Sequence, residues 1–249
     1  MEALTVCIEG LEQITQLEIK EILKQKSSII IPSRIRFNFK NDKNLADFIY
    51  NSRSIIKAYK LINNFQFDNL KDLLEKIKKI KFTKIKSPFV VRCERIGIHD
   101  FNSIDAEKEI GDIINKNKKL KVDLNNPTTI VLIDIVNNNC FIGIDYTGIK
   151  LSRRFYRIRL TPNPLNPCLA YSMLRIAEIK EKDVLLDPFC KSGEIPIEAA
   201  LYMQEIPPNQ KVIDNLAFSK LVKFNPKYKI RNKKLKIFAV DESNNSLKS

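Results

Sequence analysis

The chain has 249 residues, of which 44% are hydrophobic and 29% charged, a balance typical of a folded protein with one large domain or two to three small ones. Lysine and arginine number 43 against 29 aspartate and glutamate, so the formal net charge is +14. This excess favours a polyanionic partner, nucleic acid before a membrane surface, although a merely solvated basic surface remains an alternative. No apolar run approaches the ~20 residues that span a bilayer, and the N-terminus lacks the pattern of a secretory signal.

The cysteines are scattered along the chain and include no C-x-x-C pair. An odd, unpatterned set of this kind predicts reduced, buried thiols in a cytoplasmic protein, not disulfides or a metal site. The five positions are Cys7, Cys93, Cys140, Cys168 and Cys190.

The N-terminal region alternates between the periodicities of strands and helices. Gly10 and Pro32 interrupt it. We expect strands over 4–8, 28–31 and 34–39, and helices over 11–23 and 45–59. This order predicts a small α+β unit of the ferredoxin-like kind.

A clearer helix follows, for which Asp68 is the expected N-cap. Apolar residues fall on one face and lysines on the other, and the basic character continues into a loop that ends at Lys86. A solvated face and an RNA contact are both open interpretations of these lysines. Downstream we expect strands over 88–95, 119–123, 128–136 and 141–146, and a helix over 104–114.

The next segment, over 151–159, alternates basic and aromatic residues, which can hold phosphates and stack on bases. An ordinary strand with solvent-facing arginines is the alternative. A proline-rich connector over 161–167 and an amphipathic helix over 168–179 come next.

Residues 183–201 predict a strand, a tight turn and a helix. The apolar run over 184–186 ends on Asp187, the turn contains Gly193, and the helix begins at Glu194. Such a unit places backbone N–H groups and a positive helix dipole against a ligand, although many α/β proteins contain one without a ligand. A basic segment over 223–236 and a second strand over 235–240 follow. The acids after that strand, Asp241 and Glu242, are suited to ribose hydroxyls.

Several motifs in the middle of the chain resemble the THUMP domain. They are SPFVVRCERIGIHDFNS, DLNNP at Asp123–Pro127, and FIGIDYTGIKLSRRFYR. The resemblance implies a tRNA-binding domain that follows a ferredoxin-like domain. We therefore assign RNA contacts to basic residues of this region: Arg92, Arg95, Arg153, Arg154 and Arg157.

DPFCKSGEIPIEAAL resembles the DPFCGSGTIPIEAAL motif of RNA methyltransferases that use S-adenosylmethionine, and TPNPLNP resembles their HPAPLKP segment. The resemblance implies a cofactor site. Lys191 replaces a glycine of the family, where its side chain is expected to crowd the cofactor, and Glu194 replaces a threonine, where its charge is expected to repel the cofactor carboxylate. The implied cofactor-binding residues are Pro164, Leu165, Asn166, Asp187, Cys190, Lys191, Ser192, Gly193, Glu194, Asp241 and Glu242.

The chain contains no Asn/Asp-Pro-Pro-Tyr motif, which carries catalysis in that family, so no catalytic residue is assigned. A fragment of a longer enzyme, a domain completed by a second polypeptide, and a non-catalytic remnant are the open explanations. The fold class expected is an α+β ferredoxin-like and THUMP unit followed by an incomplete α/β Rossmann-like methyltransferase domain. The expected parts are a ferredoxin-like domain (1–65), a THUMP domain (66–152), a linker (153–167) and the partial methyltransferase domain (168–249).

The expected function is methylation of the exocyclic N2 amine of a guanine in tRNA, with S-adenosylmethionine as the methyl donor. The archaeal enzymes that act at position 6 of the acceptor stem resemble the chain most. The alternative is a tRNA-binding module without activity of its own.

Overall fold

A computed structural model describes residues 1–158, 163–226, 228, 230–231 and 235–243. Parts of the predicted connector (161–167) and of the predicted basic segment (223–236) lie outside these residues. In chain order the elements are β1 (Glu2–Cys7), α1 (Glu12–Leu23), β2 (Ser27–Ile31), β3 (Arg34–Asn38), α2 (Asp42–Asn51), β4 (Ile55–Gln66), α3 (Leu70–Lys78), β5 (Phe89–Ile96), α4 (Ser103–Lys118), β6 (Thr129–Val136), β7 (Asn139–Asp145), α5 (Pro167–Ile176), β8 (Val184–Asp187), α6 (Glu194–Met203), two 3₁₀ helices (Gln210–Asn215 and Ala217–Lys220) and β9 (Lys236–Ala239).

The first seven strands form one sheet in the order β2-β3-β1-β4-β7-β6-β5. The long strand β4 lies at its centre and pairs antiparallel with β1 on one side and with β7 on the other. Strands β5 and β6 run parallel, and α4 makes the crossover between them. The ferredoxin-like and THUMP units expected from the sequence therefore contribute strands to a single sheet.

The predicted helix over 45–59 is wrong beyond Asn51. Helix α2 ends there, and Glu18 of α1 fixes the backbone of the residues that follow. The Glu18 carboxylate accepts hydrogen bonds from the N–H groups of Arg53, at 2.7 Å, and Ser54, at 3.0 Å. Strand β4 then begins at Ile55, in a run where β-branched and aromatic residues favour a strand. Ile55 and Ile56 happen to continue the helical spacing of α2, which explains the wrong prediction.

Two smaller predictions also differ from the structure. The N-cap of α3 is Asn69, whose side chain accepts the N–H of Asp72 at 3.1 Å, and not Asp68. The predicted strand over 119–123 is reduced to a single bridge between Val122 and Phe89.

Helices α1 to α4 cover one face of the sheet. Ile144 of β7 belongs to the core beneath α1 and α2, and Ile142 belongs to the core beneath α3 and α4. Side chains two apart on a strand point the same way, so both cores lie on the same side. The cysteines are free and buried, as the sequence predicts.

The opposite face is buried by the curvature of the sheet itself. Arg34 of β3 donates two hydrogen bonds, of 2.6 and 2.7 Å, to Asp134 of β6, four strands away in the sheet order. The Tyr59 hydroxyl donates to the same carboxylate at 2.9 Å, and all three residues are buried. A flat sheet would hold β3 and β6 about 19 Å apart, so these bonds require strong coiling.

A second, two-stranded sheet pairs β8 with β9 in parallel, from Val184–Lys236 to Asp187–Ala239. Helix α6 packs on it and against α5. On this sheet Val184, Leu186 and Phe238 are each more than half exposed. Within the described residues no helix is long and apolar enough to cross a membrane.

The segment after α6 folds back onto the large sheet. The N–H groups of Ala217 and Phe218 donate to the carbonyls of Thr147 and Tyr146, at 3.1 and 3.0 Å. Phe218 is fully buried in the core beneath α1 and α2. The chain therefore returns from the small sheet to the large one between α6 and β9.

Gly143 of β7 permits the close approach that the coiled sheet requires. A Cβ at this position would lie 2.4 Å from Tyr59 Cδ2 and 2.6 Å from the Lys60 carbonyl oxygen. We expect Gly143→Ala to lower the free energy of unfolding by about 1–3 kcal/mol, because backbone and a buried ring must move. Urea unfolding followed by circular dichroism measures this change.

Gly111→Ala is the matched control. Its Cβ would meet only Val91 Cγ2, at 3.9 Å, in the middle of α4. Replacing a helical glycine by alanine should stabilise by about 0.5–1 kcal/mol. Equal effects of the two substitutions would contradict the role assigned to Gly143.

Candidate functional site

The carboxyl ends of β8 and β9 bring Asp187 and Asp241 to the same edge of the small sheet. The Val240 N–H donates to the Asp187 carbonyl, and the Cys190 N–H donates to the Val240 carbonyl, both at 2.9 Å. Since ligands of parallel α/β sheets bind outside the carboxyl ends of the strands, this edge is the candidate site.

Lys191 ties the turn to both neighbouring segments. Its backbone N–H donates to Asp241 Oδ2 at 2.8 Å, and its Nζ lies 3.5 Å from the Asn163 carbonyl oxygen. Its φ of 46° is left-handed, a conformation that costs a non-glycine residue about 1–2 kcal/mol. The Lys191 side chain is exposed and extends toward the chain that enters α5.

That entering chain holds three of the expected cofactor residues. Asn166 caps α5, because its side chain accepts the Cys168 N–H at 2.9 Å. Pro164 and Leu165 precede it and are half-buried. The contact between Lys191 and Asn163 therefore places this segment beside the turn.

Helix α6 begins at the turn with Gly193 as its N-cap, at φ 80°, and no side-chain cap bond is found among the described residues. Glu194 is buried and accepts the Ser192 hydroxyl at 2.8 Å. Arg157 Nε lies 3.7 Å from the same carboxylate. The charge of Glu194, which the sequence predicts to repel a bound carboxylate, thus has a cationic partner in this structure.

Two more of the expected cofactor-binding residues, Cys190 and Glu242, differ in their exposure to solvent. Burial raises the pKa of the Cys190 thiol, and the carboxylates of Asp187 and Asp241 raise it further. The thiol is therefore neutral and unsuited to act as a nucleophile. Glu242, by contrast, is exposed at the end of β9.

The arginines expected to contact RNA differ in their partners and in their exposure. Arg92 pairs with Glu107 at 3.5 Å, and Arg95 lies over the Phe101 ring at 5.1 Å. Arg157 belongs to the turn beside Glu194, which leaves Arg153 as the exposed member of the five.

The assignment of Arg154 to RNA is wrong, because its side chain is buried within the protein. Its Nε donates to Glu198 Oε1 at 2.8 Å, and its other nitrogens donate to the carbonyls of Leu151 and Arg53, at 2.6 and 2.7 Å. Burial alone would lower the pKa of Arg154, but the Glu198 carboxylate raises it above its ordinary value. The residue is therefore a permanently charged structural group.

Glu198 is the residue that sequence reasoning missed. It is fully buried on α6, accepts the Tyr156 hydroxyl at 2.9 Å, and lies 3.8 Å from Arg53 Nη1. Arg53 also donates to the carbonyls of Leu201 and Ile206. One signal was present: a glutamate amid the apolar residues of α6 must find a cation if it is buried.

An ion pair between Arg175 and Glu21 anchors α5 to α1. Arg175 donates to both oxygens of Glu21 on α1, at 2.6 and 2.9 Å, and to the Tyr171 hydroxyl at 2.7 Å. Its guanidinium lies over the rings of Tyr171 and Tyr202, 5.7 and 5.6 Å from their centroids. Both helices that flank the candidate site are thus anchored to the N-terminal part of the chain.

Two segments of the chain match models of known protein families. Residues 65–145 match the family model of the THUMP domain, and residues 154–249 match the RMKL-like methyltransferase domain. Two relatives are named tRNA (guanine(6)-N2)-methyltransferase. That of Methanocaldococcus jannaschii is 34% identical, over 94% of this chain and 67% of the relative, and that of Archaeoglobus fulgidus is 30% identical, over 94% and 60%. The chain thus spans less than two thirds of the second relative.

Solved structures give the same fold. A possible methylase from Clostridium difficile 630 superposes with a TM-score of 0.78 at 22% identity, over 99% of this chain and 70% of that one. SMU.472, solved in complex with SAH, gives a TM-score of 0.76 at 16% identity, over the same shares. TrmN from Thermus thermophilus gives 0.65 at 21%, over 100% and 68%. These matches confirm the expected fold class.

We expect Glu198→Gln to lower the free energy of unfolding by about 3–5 kcal/mol. The substitution leaves two buried guanidinium groups without their carboxylate, and breaking a buried ion pair from one side is strongly destabilising. Denaturant unfolding of the variant and of the parent protein measures the difference.

Glu205→Gln makes the same chemical change at the surface. Glu205 pairs with Arg231 at 2.9 Å, but the two side chains are 46% and 58% exposed. Surface pairs contribute at most about 1 kcal/mol, so this variant should resemble the parent. If Glu198→Gln is equally mild, the buried cluster does not stabilise the fold.

Proposed function

Because the chain belongs to the family of tRNA (guanine-N2)-methyltransferases that carry a THUMP domain, we propose that it binds tRNA and S-adenosylmethionine for methylation of a guanine N2 amine. Position 6 of the acceptor stem is the proposed target, after the named relatives. One observation carries the proposal: the turn, the segment entering α5 and Asp241 converge at one sheet edge. A cytoplasmic location stays a prediction.

The residues at this edge fit the cofactor. Asp241 and Glu242 carry carboxylates, the group that accepts hydrogen bonds from ribose hydroxyls at the end of such a strand. The N-terminus of α6 and the Lys191 ammonium offer positive charge to the carboxylate of the methionine part. Pro164, Leu165 and Asn166 lie beside them. The cofactor, when bound, supplies the methyl group.

The chemistry at the base requires residues that this chain does not contain. The paired guanine must leave its stack to be reached, and the Asn/Asp-Pro-Pro-Tyr motif that would hold it is absent from the 249 residues. Parallel sheets are covered on both faces, yet Val184, Leu186 and Phe238 are exposed. We propose that further polypeptide, in the same chain or a second one, covers this face in the active enzyme.

The lysine in the turn favours a second candidate function. A turn in which Lys191, at φ 46°, replaces the glycine expected from the family suits a tRNA-binding module that has no activity of its own. The two functions differ in cofactor binding, which calorimetric titration of the chain with S-adenosylmethionine measures directly.

We expect the chain to bind S-adenosylmethionine and two substitutions to separate the parts of the site. Asp241→Asn should weaken the binding of S-adenosylmethionine and of 5′-methylthioadenosine alike by about 10- to 100-fold, the loss expected when one hydrogen bond to a charged group is removed. Lys191→Met should weaken only S-adenosylmethionine, because 5′-methylthioadenosine lacks the carboxylate. Isothermal titration calorimetry provides each Kd.

Glu75→Gln, on the exposed side of α3, is the control and should leave both ligands unaffected. If the parent chain binds neither ligand but still binds tRNA, the result contradicts the enzyme and supports the tRNA-binding module. A Lys191→Met variant that binds S-adenosylmethionine more tightly would show that the lysine crowds the cofactor.

A further inference from the structure

A groove runs between β4 and the segment of residues 81–86, and we call it the interdomain groove. Two adjoining cavities of about 270 and 310 Å³ form it. Both are lined by Lys60, Thr83, Lys84 and Ile144, so they are parts of one depression. It lies where the N-terminal strands meet the lysine-rich loop that follows α3.

The loop beside the groove has a fixed backbone. Phe82 and Ile85 are buried in the core beneath α3 and α4. The Lys86 N–H donates to Thr129 Oγ1, and that hydroxyl donates back to the Lys86 carbonyl, both at 2.9 Å. Lys81 and Lys84 of this loop are exposed. The backbone at both lysines is therefore held in place, which lowers the conformational entropy that is lost when a ligand binds.

The side chains that line the groove leave a net positive charge, because each carboxylate among them is neutralised by a cation of its own. Two carboxylates line it, and each has its own cation: Asp42 accepts Lys60 Nζ at 2.6 Å, and Glu2 lies 3.8 Å from Arg36 Nε. Burial raises the pKa of Asp42, but the hydrogen bond from Lys60 outweighs it, so the carboxylate stays ionised. Three further lysines line the groove: Lys81, Lys84 and Lys86.

The floor of the groove is apolar. Leu61, Ile62 and Ile144 line one cavity, and Ile85 and Tyr146 line the other. An apolar floor with a cationic rim suits a chain that carries regular negative charges and flat apolar groups. The phosphodiester backbone of a polynucleotide, with its sugars and bases, has this chemistry.

We propose that the interdomain groove binds the RNA backbone, with Lys81 and Lys84 on phosphates and the apolar floor against the adjacent nucleotide. The proposal rests on the proposed function in one respect, that the chain binds tRNA. It moves the main RNA contact away from the arginines expected from the sequence. Lys86 contributes less, because its Nζ already donates to the Leu221 carbonyl at 3.2 Å.

The test compares two double variants of equal charge. Lys81→Gln with Lys84→Gln removes two charges from the groove, and Lys20→Gln with Lys24→Gln removes two exposed charges from α1 and its C-cap. Binding of tRNA is measured by fluorescence anisotropy at several salt concentrations. The slope of log K against log salt is negative, and each lost phosphate contact should reduce its magnitude by about 0.7–0.9, so the magnitude should fall by about 1.4–1.8 in the groove variant.

The expected result is that slope loss with at least a tenfold weaker affinity for the groove variant, and an unchanged slope for the α1 variant. Lys81→Arg with Lys84→Arg keeps the charge and should restore the slope. Equal slopes in the two glutamine variants, with tRNA binding by the parent chain intact, would contradict RNA binding by the groove and leave the proposed function unaffected. Absence of tRNA binding by the parent chain would instead overturn the proposed function.

Discussion

The buried carboxylate of Glu198 is the constraint on which the arrangement of the molecule depends. Its charge can lie inside the protein only because Arg154 and Arg53 approach it from two different parts of the chain. Burying ions costs several kcal/mol each unless partners and hydrogen bonds surround them. Arg154 and Tyr156 donate hydrogen bonds to Glu198 Oε1, and main-chain carbonyls accept hydrogen bonds from both guanidinium groups. Arg53 Nη1 and Glu198 Oε2 have no hydrogen-bond partner among the described residues and lie 3.8 Å from each other.

This cluster fixes the geometry between the large sheet and the candidate site. Glu198 lies one turn after the start of α6, the helix whose N-terminus faces the candidate site. Arg53 lies in the polar break before β4, the central strand of the large sheet. A rotation of one part against the other would separate these charges without water to replace them, so the structure favours one relative orientation.

The sequence predicts local units well and long-range partners poorly. The strand, turn and helix around Asp187 and Gly193 follow from adjacent residues, and the structure contains them with small shifts at the ends. The helical spacing over 45–59 extends the predicted helix into the first five residues of β4, and only pairing with β1 and β7 decides that these residues form a strand. Arg154 was assigned to RNA because a sequence does not show which arginine meets a distant glutamate.

Strand β4 also has a consequence for how the molecule comes apart. It gives one of its edges to β1 and the other to β7, so neither half of the large sheet has a complete set of main-chain partners alone. Heating should therefore melt the ferredoxin-like and THUMP portions in one cooperative transition. Cleavage of the polypeptide between them would leave two half-sheets with unpaired strand edges, which are prone to aggregate.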